Sequence, residues 1–87
     1  MKFKRAGKYL QTIRERAELT QVEVADKLKL HPQFVSNWER GICMPPRSAF
    51  KKLATMLGFT KTNRHILKGA IFADLNDEAT VRFEGLI

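Results

Sequence analysis

TQVEVADKLKLHPQFVSNWERG, residues 20–41, reads as two short helices joined by a tight turn. Thr20 followed three residues later by Glu23 is the pattern of a capping box, in which each side chain satisfies a backbone N–H at a helix start. A helix is therefore expected from Gln21. Val24, Ala25 and Leu28 lay one narrow apolar stripe along it, and Lys29 ends the run. His31-Pro32 announces the second helix, because proline holds its own φ near the helical value and pushes the preceding residue out of the α region. Pro32 suits the first helical position, where its missing N–H costs nothing. At about 100° per residue, Val35 and Trp38 share one side, while Gln33, Ser36, Asn37 and Arg40 share the other. The first side is core. The second carries amides, a hydroxyl and a guanidinium, groups that exchange hydrogen bonds with base edges and phosphates in a DNA major groove.

Outward from this stretch the pattern stays helical. Residues 3–17 predict a first helix with Tyr9, Leu10 and Ile13 inward, its first turn frayed by the low helix propensity of Gly7. Gly41 caps the second helix of the central pair, and Ile42-Cys43-Met44 lead to Pro45-Pro46, one of which opens a helix over residues 47–57. Phe50, Leu53, Ala54 and Leu57 form its stripe, and Gly58 stops it. A fifth helix is expected from a Thr62 or Asn63 cap to about Leu75, burying Ile66, Leu67, Ala70 and Ile71 and leaving Phe72 or Leu75 over. Asn76-Asp77 reads as a break. Beyond it, residues 79–84 alternate like a short strand, which would need a second copy to pair with unless the tail is mobile or packed down.

At 87 residues the chain has room for one small domain. Its formal charge of +7 is uneven: residues 1–68 hold 15 basic and 5 acidic side chains, residues 69–87 hold 1 and 4. Coupled to the polar helix face, the basic part points to nucleic acid, where each phosphate contact releases counterions. The charged N-terminus lacks the apolar run of a secretory signal, and no stretch is long enough to span a membrane, so a cytoplasmic location is expected. Cys43 stands alone and belongs to no metal-ligand spacing. With no Gly-rich phosphate loop and no nucleophile beside a base, neither catalysis nor a metal or cofactor is expected.

The run Leu10, Arg14, Leu19-Thr20-Gln21, Ala25, Leu28, Leu30, Val35-Ser36, Trp38-Glu39 and Gly41 resembles the helix-turn-helix domain of the phage-repressor and Cro-like (Xre-type) transcription regulators, over about residues 6–58. The resemblance implies an all-α, compact five-helix domain of the lambda-repressor type over residues 1–72. Residues 73–87 then form a tail for dimerisation or partner binding. It further implies that the helix from Gln21 lies across the DNA backbone, that the helix from Pro32 enters the major groove, and that Arg14 pairs with Glu39 as a structural ion pair. Two positions depart from the family pattern. Lys29 replaces the turn glycine, at a cost of about 1 kcal/mol if φ is positive. His31 replaces the usual Ser or Thr cap, which weakens the cap.

Gln33 and Asn37 are the first candidates for base contact, since an amide can bond bidentately to N6 and N7 of adenine. Ser36 either donates to DNA or bonds back to its own helix. Pro32 offers only apolar contact, as to a thymine methyl, and Phe34 is either core or a second methyl contact. Gln21 resembles the family glutamine that binds phosphate or braces the first amide of the recognition helix. It stands beside helix N–H groups that suit a phosphate. His31, Arg40, Arg47 and Lys51 complete the expected backbone contacts. The function implied is a sequence-specific regulator, a repressor binding double-stranded DNA with two-fold symmetry as a homodimer. The alternative is an antitoxin-like interaction protein that binds a partner protein through the segment from Asp74 to the end.

Overall fold

The computed structural model describes residues 2–86, with side chains through Asp77. Along it run α1 (Lys4–Arg16), α2 (Gln21–Leu28), α3 (Pro32–Glu39), α4 (Arg47–Leu57) and α5 (Lys61–Leu86). The capping box is formed: the Thr20 hydroxyl accepts from the Glu23 N–H at 3.1 Å, and the Glu23 carboxylate accepts from the Thr20 N–H at 3.0 Å. Lys29 then takes the left-handed conformation at φ 57° that the turn demands, so α2 ends on a strained lysine where glycine would rest.

Every helix turns its apolar stripe to one cluster. Ala6 and Leu10 enter from α1, Val24, Ala25 and Leu28 from α2, Val35 and Trp38 from α3, Ala49 and Leu53 from α4, and Leu67 from α5. Phe50 and Phe59 close one end, edge to face at 5.7 Å. No helix here could bury its stripe alone, so the cluster and the helices form together.

Gly7 has a role that propensity hides. A Cβ there would lie 2.6 Å from the carbonyl oxygens of both Trp38 and Glu39, so α1 crosses the end of α3 backbone to backbone. Gly41, at φ 78°, faces the Phe3 carbonyl just as closely, and the Phe3 N–H donates to the Gly41 carbonyl at 2.9 Å. Instead of fraying, the first turn of α1 is clamped.

The last third of the chain departs most from expectation. The cap of α5 is Thr60, which exchanges reciprocal bonds with Asn63, rather than Thr62 or Asn63 itself. Asn76-Asp77 does not break α5, and the expected strand over residues 79–84 is helix. A solitary strand leaves its N–H and C=O groups unpaired, whereas a continuing helix pairs them within itself. Ile66, expected to be buried, is 44% exposed, and Phe72 and Leu75 are also exposed on α5. Asp74, expected in a tail for dimerisation or partner binding, is buried within the chain itself: its carboxylate accepts from the N–H groups of Arg5 at 3.2 Å and Ala6 at 3.0 Å. It thereby caps α1 from the far end of the chain. Arg5 is held protonated more firmly than usual by its bond to Asp77, with Asp74 adding to it.

Candidate nucleic-acid interface

The candidate site is one face of α3 and the base that holds it. Val35 and Trp38 are each 2% exposed and fix the helix to the core, which leaves the opposite face outward. At its start His31 does with a ring nitrogen what Ser or Thr does with a hydroxyl: Nδ1 accepts from the Gln33 N–H at 3.1 Å. That bond requires the tautomer or protonation state in which Nδ1 carries no hydrogen. Pro32 follows at the first helical position, half-buried. Gln33 and Phe34 are exposed, Phe34 by 50%, which removes Phe34 from the core and leaves it at the edge between the polar face and Trp38. Ser36 and Asn37 are half-buried on the same side. Gln33 Nε2 donates to Asn37 Oδ1 at 2.9 Å, so the two foremost base-contact candidates are hydrogen-bonded to each other.

Beneath this face lies the network that sets its angle. Arg14 donates from Nε to Glu39 Oε2 at 2.6 Å and from Nη2 to Oε1 at 3.0 Å, while its Nη1 donates to the Leu19 carbonyl at 2.7 Å. The side chains are only 12% and 6% exposed. The bonds to Glu39 hold the Arg14 guanidinium protonated beyond its ordinary range against the opposing effect of burial. Gln21 Nε2 also donates to Glu39 Oε1, at 3.0 Å. Glu39 therefore gathers donors from α1 and from the first residue of α2. The pair is electrically neutral, so its effect on a ligand acts through position. Gln21, expected to bind phosphate or to brace the first amide of the recognition helix, is committed through its nitrogen to this network at the other end of α3.

His31, Arg40, Arg47 and Lys51 are all exposed. Lys51 shares an open groove between α2 and α4 with Lys27, Lys52, Thr55 and Met56. Sequence reasoning missed Lys27 and Lys52, because their proximity comes from helix packing and neither helix pattern alone marks it. Among the described residues no three His, Cys, Asp or Glu side chains are grouped to hold a metal ion. No helix among them is long and apolar enough to cross a membrane.

A family model for a helix-turn-helix domain matches residues 5–67, from the start of α1 into α5, and includes both helices of the central pair. No curated protein and no solved structure matches the chain. A capped α2, a tight turn through Lys29 and an α3 presenting a polar outward face are the parts such a domain requires, and the match spans them all. The chain belongs to the helix-turn-helix domain family, whose members bind DNA.

Proposed function

We propose that the protein is a sequence-specific transcription regulator, a repressor that binds a two-fold symmetric operator as a homodimer. The observation that carries this reading is the outward face of α3, where Gln33, Ser36 and Asn37 stand on a helix locked by buried Trp38 and the Arg14–Glu39 pair. A rigid element presenting donors and acceptors is what base reading in a major groove needs. His31, Arg40 and Arg47 flank that face as phosphate contacts that position the helix, and Lys51 adds charge from α4. Self-association is supported by the exposed apolar side chains Phe72 and Leu75, three residues apart on one side of α5, which a second copy would cover. In this reading residues 73–87 contribute to dimerisation, apart from Asp74, which is already engaged with α1. Occlusion of polymerase at the operator is the mode of repression, in the cytoplasm of a bacterial host.

Selection of bound duplexes from a random DNA pool, with the full chain at near-physiological salt, tests the proposal. An enriched inverted repeat is the expected result. Salt-dependent binding without enrichment would sink it, since counterion release alone supports binding that ignores sequence.

A further inference from the structure

The two amides at the centre of the α3 face are hydrogen-bonded to each other. We propose that Gln33 and Asn37 form one reading unit in which Asn37 orients Gln33 for adenine and itself reads an acceptor on the neighbouring base pair. This rests on the proposal that α3 reads bases.

A lone glutamine amide turns freely about its last torsion and presents oxygen or nitrogen to a given base atom with nearly equal ease. Here the bond from Gln33 Nε2 to Asn37 Oδ1, at 2.9 Å, assigns the nitrogen to the Asn37 side. Turning Gln33 over would set its oxygen against the oxygen of Asn37, which repels. Gln33 retains Oε1 as acceptor and one N–H as donor. Side by side these match the N6 amine and N7 of adenine. Asn37 Oδ1 already serves Gln33, so Asn37 offers mainly the two hydrogens of Nδ2. Those suit the N7 and O6 of guanine or the O4 of thymine, and they repel the N4 amine of cytosine. One turn of helix separates the two residues, which places their contacts on adjacent base pairs. The unit therefore specifies a step rather than a single base. Asn37 is a positioning residue for the first base and a reader for the second.

The test uses the full chain and the duplex recovered by the selection above, with every single-base substitution of each half-site compared by fluorescence anisotropy. One position per half-site is expected to favour adenine by about 5- to 150-fold, the range of one good bidentate contact. Gln33→Ala abolishes that preference. Asn37→Ala reduces it about fivefold although Gln33 is intact, and the double variant is no worse at that position than Gln33→Ala. Asn37→Asp keeps the acceptor for Gln33 and loses the donors, so the adenine preference survives while the neighbouring preference disappears. Guanine at the Gln33-dependent position would overturn the proposal, because guanine presents two acceptors, N7 and O6, and leaves Gln33 Oε1 facing one of them without a donor. An adenine preference untouched by Asn37→Ala would overturn it too, by showing independent readers. Each of these leaves an enriched operator standing, whereas failure of the underlying reading appears earlier, as a selection without enrichment. Far-ultraviolet circular dichroism confirms that the variants fold.

Discussion

Replacing Arg14 by Met tests whether the geometry of the α3 face depends on the ion pair beneath it. The substitution preserves most of the buried stem and deletes two charge-assisted bonds to Glu39, at 2.6 and 3.0 Å. Glu39 stays behind, 9% exposed, with Gln21 Nε2 as its remaining side-chain donor. Hydrogen bonds to charged groups contribute about 1.5–3 kcal/mol each, and stranding one member of a buried pair costs about 3–5 kcal/mol. The two estimates agree near 4 kcal/mol. The carbonyl of Leu19 adds little, because Leu19 is half-buried and water can replace Arg14 there. For a domain of this length such a loss lowers Tm by roughly 15–30 °C and takes up much of the total stability. Glu39→Leu should cost as much, by stranding the guanidinium. The double variant, with neither charge, should recover most of the loss, because an apolar pair of similar volume substitutes well for a buried ion pair. Urea unfolding followed at 222 nm, with thermal melts alongside, measures all four corners of the cycle. A cost below about 1 kcal/mol for Arg14→Met, with additive effects in the double variant, would mark a solvated pair and refute the reasoning.

Three other predictions draw on single positions. Lys29→Gly should stabilise the protein by about 1 kcal/mol, since φ 57° strains a lysine and not a glycine; a neutral or destabilising result in chemical denaturation would deny that strain. Gly7→Ala should destabilise by about 1–3 kcal/mol, because its Cβ would press on two backbone carbonyls of α3, whereas Gly69→Ala, with nothing within 4 Å, should stabilise by about 0.5–1 kcal/mol; equal effects at the two glycines would contradict the close crossing. Glu23 has its carboxyl held below the usual glutamate value, chiefly by the Thr20 N–H. Its contribution is therefore complete above the ordinary glutamate range and is lost as pH falls through the lowered value, so Tm should fall more steeply in acid for the parent than for Glu23→Gln. Parallel Tm profiles would show that the capping box contributes nothing through its charge.

What could be read from residue order was whatever depends on neighbours within a turn or two. The Thr20–Glu23 box, the proline at the head of α3, the glycine stops at 41 and 58 and the period of each apolar stripe are local, and they suffice to place four helices and the polar face of α3. The fifth helix was legible as far as about Leu75, with its cap placed two or three residues late. Its second half carries no glycine or proline until Gly85, and whether that segment pairs as a strand or continues as a helix turns on what else is present to satisfy its backbone. Distance along the chain hid the rest. Asp74 caps α1 across 68 residues, Gly7 touches the carbonyls of α3, and Lys27 reaches Lys51 and Lys52 only because α2 packs on α4. The resemblance supplied the Arg14–Glu39 pair, but its burial and the third partner, Gln21, came from the packing. Local hydrogen bonding and periodicity are written in sequence because their partners are three or four residues apart. The orientation of the α3 face was decided by tertiary structure, because the groups that hold it come from three helices that meet only in the folded protein.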